Sequence, residues 1–212
     1  MEDYLIMLSD IPFPEEEFDL FLDVGLSYNA PHSQEVLKAN PKAFVIGVEP
    51  NPNSCSKVRS LNLGDRFYLV ETGAGDIEEE KAFNIIASEG GTSSDEGTSS
   101  FLDINDCFIK KGCSVKQKIT VNVIPLKVIL DMVPWDRVSN NLFDMKSDTQ
   151  GYEDKVIKGM GGYIGKIRNL QIESATWGDY KNASDHAVVQ DLLSGYMNEI
   201  DNSGGNAWFK RK

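Results

Sequence analysis

The chain has 212 residues, 41% of them hydrophobic, and a formal net charge of −12 from 21 basic and 33 acidic side chains. That length suits a single α/β domain spanning 1–212, and no apolar run approaches the roughly 20 residues that a membrane span needs. The acidic surface repels phosphate backbones, which disfavours a general nucleic-acid binder and leaves neutral or cationic partners.

The opening segment, MEDYLIMLSDIPFPEEE, is acidic and lacks the basic start of a secretory signal. The three cysteines, Cys55, Cys107 and Cys113, have no CxxC spacing, so neither a disulfide framework nor a zinc site is expected. Reduced thiols in a cytoplasmic setting are the simplest expectation.

Taken in chain order, the first apolar run is DLFLDVG, Asp19 to Gly25. Ser33 is placed to cap a short helix ending before Asn40-Pro41. A second run, AFVIGVEP, covers Ala43 to Pro50, and Asn51-Pro52 then starts a helix with Cys55, Val58 and Leu61 on one face. The third run is FYLVETGA, Phe67 to Ala74. Residues 88–100, SEGGTSSDEGTSS, carry GTSS twice and are expected to form a flexible surface loop. Three further runs are KITVNVIPL, NLFDMKSD and IRNLQIESA. Tyr152, Val156 and Met160 mark a helix after Gly151, and Val189, Leu193 and Tyr196 mark the last long one. YMNEI and NAWFK flank DNSGG as an antiparallel hairpin. Strands alternating with helices predict an α/β fold: a mostly parallel sheet, helices on both faces, and an antiparallel C-terminal hairpin.

The strand ends hold the residues that can carry chemistry, because open α/β sheets bind ligands there. In DVGLSYNAPHS, Asp23 to Ser33, Gly25 lets the backbone approach a ligand. The G-x-G-x-x-G of a dinucleotide site is absent, which disfavours a nicotinamide oxidoreductase. Glu49 ends the second strand 26 residues after Asp23, where a carboxylate can accept both hydroxyls of a ribose; it is equally placed as a solvated strand-end carboxylate. Asp76, in TGAGD after Gly75, can accept from an adenine amino group or simply serve a turn. Asp148 follows the DMKSD strand end and is placed either in the crevice or as a helix cap. Glu173 ends the next strand. Of the two histidines, His32 lies in the first loop and His186 near a helix start, where a structural role is the commoner one.

These segments together resemble class I S-adenosylmethionine-dependent methyltransferases, and within them the FkbM-type family. The resemblance is carried by DVGLSYNAPHS, GVEPNP, TGAGD, GTSSFL, VNVIPLKVIL, NLFDMKSDTQGYEDKVIKGM and NAWFKRK, from about Phe21 to the C-terminus. It implies a Rossmann-like, seven-stranded sheet with its last strand antiparallel. It also implies S-adenosylmethionine as methyl donor and an acceptor hydroxyl, often on a sugar or glycan. Carried over by position, Asp23, Gly25, Ser27 and Asn29 fall on the cofactor loop. Glu49 with Pro50 falls on the ribose contact, and Gly75 with Asp76 on the adenine contact. Asp148 falls near the reacting methyl group. The chain departs from the family pattern at Tyr28 and Asn29, at Ser147, where a hydrophobic residue is usual, and at Gln150, where a glutamate is usual.

Methyl transfer from a sulfonium is an in-line displacement that depends on alignment, and a hydroxyl acceptor benefits from a base. Asp148 is the first candidate, with Glu173 or His186 as alternatives. A divalent metal held by Asp148 and Glu173 would lower the hydroxyl pKa instead, though nothing in the spacing demands one. The competing expectation is a non-catalytic, methyltransferase-like binding module of a longer glycan-modifying protein.

Overall fold

The computed structural model describes residues 8–88, 97–173 and 178–212. Strand β1 (Phe18–Val24) is followed by helix α1 (Pro31–Ala39), β2 (Ala43–Val48), α2 (Pro52–Ser60) and β3 (Phe67–Val70). Next come β4 (Gly73–Gly75), β5 (Glu79–Ser88), the short α3 (Asp106–Lys110), β6 (Cys113–Pro125) and α4 (Leu126–Leu130). Strand β7 (Val138–Ser147) leads to α5 (Glu153–Lys158), a 3-10 turn at Gly161–Lys166, and β8 (Ile167–Glu173). Helix α6 (His186–Leu193) and the hairpin of β9 (Met197–Ser203) and β10 (Asn206–Arg211) follow.

Seven strands make one sheet in the order β3-β2-β1-β7-β8-β10-β9. Strands β3, β2, β1, β7 and β8 run parallel to one another, and β10 is antiparallel to both β8 and β9. This is the Rossmann-like sheet with an antiparallel end that the sequence predicts. Every residue of AFVIGV in β2 is buried, as expected of a parallel strand covered on both faces. The largest core cluster joins Leu20, Leu22, Ile46, Met145 and Leu170 of the sheet to Ile129, Val156 and Leu193 of α4, α5 and α6. No helix among the described residues is long and apolar enough to cross a membrane.

The third apolar run divides. Its first half is β3, and Gly73–Gly75 leaves to pair with β6 in a separate three-stranded sheet of order β4-β6-β5. The KITVNVIPL run therefore belongs to β6 and lies outside the main sheet. Strand β6 pairs antiparallel with β5 along most of its length, from Glu79 opposite Val123 to Ser88 opposite Cys113. Exposed positions recur through β6, the mark of an antiparallel strand with one solvated face. An apolar run alone does not choose between the two settings.

Helix starts also differ in detail. Helix α1 begins at Pro31, with Ala30 in the left-handed region before it and no side-chain cap. Proline presets the first-turn dihedral, so the helix starts ahead of Ser33. Ser33 lies inside the helix, and its N–H and hydroxyl both donate to Asp23 Oδ2, at 3.1 and 2.6 Å. Asn51 caps α2 as expected, accepting from the Asn53 N–H. Leu61 and Tyr196 fall just past α2 and α6 and are 38% and 46% exposed, so the helices are shorter than the apolar spacing suggests. Of the expected loop at 88–100, residues 89–96 lie outside the described residues. Ser100 is held by two backbone hydrogen bonds with Asn84, at 2.8 and 3.1 Å.

Ser147 is the last residue of β7, registered between Val24 and Ile172. Its hydroxyl is fully buried and has no hydrogen-bond partner among the described residues. A buried, unmet hydroxyl costs stability. Ser147→Ala is expected to stabilise the fold by about 1 kcal/mol, read as a higher urea midpoint with unchanged slope. A lower midpoint would show that the hydroxyl has a partner.

Candidate active site

The strand order reverses between β1 and β7: the chain moves outward from β1 through β2 to β3, then returns to β7 on the other side. Ligands of doubly wound sheets bind in the crevice at such a switch point. A cleft lies there. Val24 ends β1 and Gly25 and Ser27 follow it, Val48 ends β2 and Glu49 and Pro50 follow it, and Asp148, Thr149 and Gln150 follow β7. Ala74, Phe83 and Phe101 supply an apolar wall, with Gly97 and Ser99 beside it. Phe83 and Phe101 meet edge to face at 4.9 Å, and Phe101 packs on Tyr152 at 5.1 Å.

Gly25 is required by both conformation and space. Its φ is 78°, and an added Cβ would stand 1.9 Å from the Asp148 carbonyl oxygen. The Gly25 N–H donates to Val48 O, and the Asp148 N–H donates to Val24 O, both at 2.9 Å. The first turn, the second strand and the Asp148 segment are thus joined by backbone.

Beneath that junction Lys146 is only 5% exposed. Its Nζ donates to the Gly25 carbonyl at 2.6 Å and lies 3.4 Å from Asp148 Oδ2 and 3.6 Å from Asp23 Oδ1. Burial opposes the charge on Lys146, but Asp148 and Asp23 outweigh it, and its pKa lies above the usual lysine value. Burial likewise opposes ionisation of Asp148, but Lys146, Glu173 and Gln150 hold its carboxyl below the usual carboxylate range. Glu173 moves the other way: burial and the neighbouring Asp148 push its carboxyl up. Gln150 bridges the two acids, its Nε2 donating to Asp148 Oδ1 and Glu173 Oε2 at 2.6 Å each.

Glu49 is 6% exposed, and Oε1 accepts from the Asn51 N–H at 2.9 Å. Burial is the largest influence on it and carries its pKa up to about 7. Glu153 is fully buried at the start of α5. Its Oε1 accepts from the Thr149 N–H at 2.9 Å, the Thr149 hydroxyl at 3.0 Å and the Gly151 N–H at 3.3 Å, while Oε2 has no hydrogen bond among the described residues. Glu153 thus does the capping work for the turn before α5, and the Asp148 side chain is left facing the cleft and Lys146.

Gly25, Ser27, Glu49, Pro50 and Asp148 come together in this cleft, and Glu173 reaches it through Gln150. Asp23 lies below, its Oδ2 occupied by Ser33 and its buried Oδ1 turned toward Lys146. Asn29 is exposed and outside the cleft, its carbonyl accepting from Gln34 Nε2 at 2.6 Å. Gly75 packs against Val123 and Gly159 and is not a cleft residue; Ala74, one residue earlier, is. Asp76 is engaged by Lys155 at 3.1 Å. His186 is outside the cleft lining, because Glu199 binds its ring at 3.0 Å and the ring of Phe209 lies 6.4 Å away. Among the described residues no group of three His, Cys, Asp or Glu side chains converges as a metal site.

No family model matches the chain, and no curated protein matches it by sequence. Solved structures that resemble it over nearly its whole length include the following three. Precorrin-6y C5,15-methyltransferase from Geobacter metallireducens GS-15 has 13% identity and a TM-score of 0.43, with 98% of this chain and 85% of that chain covered. A human methyltransferase 10 domain containing protein has 10% identity and a TM-score of 0.39, covering 98% and 79%. A point mutant of the 16S rRNA (adenine(1408)-N(1))-methyltransferase from Catenulisporales acidiphilia has 12% identity and a TM-score of 0.39, covering 100% and 89%.

The raised pKa of Glu153 sets a sign for stability. Its folded value of about 7 lies above its ordinary value of 4.5, so the native state holds this proton more tightly than the unfolded chain does. The associated stability is full below pH 4.5 and is lost as pH rises through about 7. Glu153→Gln, which is neutral at every pH, is therefore expected to gain on the wild type between pH 5 and pH 8, by on the order of 2 kcal/mol. Parallel urea midpoints for the two proteins across that range would contradict the assignment.

Proposed function

We propose that the chain is an S-adenosylmethionine-dependent methyltransferase that acts on a hydroxyl of a sugar or glycan. The observation that carries this reading is the meeting of Gly25, Glu49 and Asp148 at the β1–β7 switch point, in the order the family resemblance implies. Gly25 brings backbone to the crevice where a Cβ would collide with Asp148. Glu49 offers a buried carboxyl that suits a ribose diol, and Val48, Ala74, Phe83 and Phe101 give an apolar face for a purine. No lysine, arginine or histidine lines the cleft among the described residues, which suits a cationic donor. Lys146, buried underneath, offsets part of the charge of Asp23 and Asp148.

When bound, the donor supplies an electrophilic methyl group: the acceptor oxygen's lone pair forms the new carbon–oxygen bond while sulfur keeps the pair of the bond that breaks. Asp148 takes the hydroxyl proton. It is the ionised member of the acid pair, and its side chain is 33% exposed, open to an incoming acceptor. Glu173 keeps its own proton and does not compete as a base. The reaction needs alignment above all, and the backbone bonds joining the Gly25 turn to the Asp148 segment hold the two halves of the cleft in register.

Two measurements test this. Calorimetric affinity for S-adenosylmethionine should improve roughly tenfold from pH 6 to pH 8, because the diol needs the ionised form of a carboxyl that titrates near 7. Methyl transfer to a panel of sugars should fall about a hundredfold or more in Asp148→Asn, with donor affinity within about threefold of wild type. Absence of donor binding at either pH would contradict the enzyme reading. Donor binding without transfer to any acceptor would favour a binding module. Full activity in Asp148→Asn would remove that residue from the base role.

A further inference from the structure

Gln150 lines the cleft, yet it is 7% exposed and its backbone is held at a φ of 56°, a left-handed conformation unusual for glutamine. Such a backbone persists where its surroundings fix it. The Ser100 hydroxyl donates to the Gln150 carbonyl at 2.8 Å. The two hydrogens of Nε2 are matched to two carboxylate oxygens, Asp148 Oδ1 after β7 and Glu173 Oε2 at the end of β8, each at 2.6 Å. On the far side of the amide, the Tyr180 hydroxyl lies 2.9 Å from Oε1. Tyr180 is 1% exposed and its ring meets Phe108 edge to face at 5.3 Å, so the hydroxyl is held in place. A phenol has one proton, and the Thr98 carbonyl at 2.6 Å competes for it. Given to Oε1, that proton fixes which end of the amide faces the acids.

We propose that Gln150, oriented by Tyr180, is a positioning residue that clamps Asp148 and Glu173 into an acid pair sharing one proton. The proposal rests on the methyl-transfer reading of the same cleft and adds the residues that keep its base ready. Two neighbouring carboxyls resist ionising together. The amide donates to both, and Lys146, 3.4 Å from Asp148 Oδ2, draws the negative charge to Asp148 and leaves the proton on Glu173. Asp23 faces Lys146 from β1, and Glu153 and Tyr180 face the pair from α5 and the loop before α6. After the acceptor hydroxyl gives up its proton, each carboxyl holds one, and Asp148 returns its proton to solvent before the next turnover. A glutamate at position 150 would add a third acid and, when ionised, donate to neither; the glutamine holds the pair without adding charge.

The test uses the whole chain as wild type, Gln150→Met and Tyr180→Phe. Carbon-13 carboxyl titrations by NMR, without any ligand, follow Asp148 and Glu173 directly. Loss of the amide donors should move the Asp148 midpoint up by about one pH unit in Gln150→Met, and less in Tyr180→Phe. At saturating donor, transfer rates should then stay near wild type at pH 7 and fall several-fold behind it only below about pH 4, where the raised Asp148 carboxyl protonates first. Unchanged carboxyl midpoints in both variants would overturn the clamp, as would a rate loss equal at every pH. Should Gln150→Met fail to fold, Tyr180→Phe carries the same titration. A wild type that neither binds S-adenosylmethionine nor transfers methyl overturns the enzyme reading, while the ligand-free titration still decides the clamp.

Discussion

Lys146 stands where the central strands end, with its ammonium group buried and three different parts of the chain drawn to it. The Gly25 carbonyl accepts its hydrogen bond, and the carboxylates of Asp23 and Asp148 lie within 3.6 Å. Each contact serves a separate purpose. Through Asp23, which also takes both donors of Ser33, the charge is tied to the first helix. Through Gly25 it holds the tight turn, and through Asp148 it holds the proposed base ionised. A charge this deep is tolerated because the carboxylates and the carbonyl replace the water it lost, and removing any one partner would leave the rest uncompensated.

Much of the fold was legible because strand burial leaves a direct trace in sequence. AFVIGV and DLFLDV read as parallel strands since both faces are covered, and the YMNEI–NAWFK hairpin read from its turn. What the sequence concealed was sheet membership. KITVNVIPL is as apolar as a core strand, yet it belongs to a second sheet, and its partner KAFNIIAS in β5 has the weak pattern of a half-solvated strand. Ser33 misled for a related reason. A serine near a helix start suits a cap, but Pro31 sets the start earlier and Asp23, distant in sequence, uses the serine instead.

The site divides along the same line. Gly25, Glu49 and Asp148 were visible because each closes a strand, and closing strands at a switch point share one crevice. Asp76 also follows a strand and His186 opens α6, but Lys155 and Glu199 engage them away from the cleft. Lys146 and Gln150 were in plain view beside Asp148. Their importance lies in contacts across the sheet, to Gly25 and Glu173, which no spacing rule shows. Tyr180 had no signal at all, since it reaches Gln150 from 30 residues away. Ser147 and Gln150, where the chain departs from the pattern it resembles, are a buried hydroxyl with no hydrogen-bond partner among the described residues and the bridge between the two acids.

In the proposed enzyme, donor binding, turn geometry and the base share one buried electrostatic unit at the β1–β7 crevice. Backbone amide shift mapping with S-adenosylmethionine tests it most directly, because it locates the ligand without assuming an acceptor. Saturable shifts concentrated at Gly25, Ser27, Glu49, Asp148 and Gln150 are expected. Saturable shifts centred instead on Ala187, Gln190, Met197 and Glu199, which line a groove between α6 and β9, or no saturable shift at all, would contradict it.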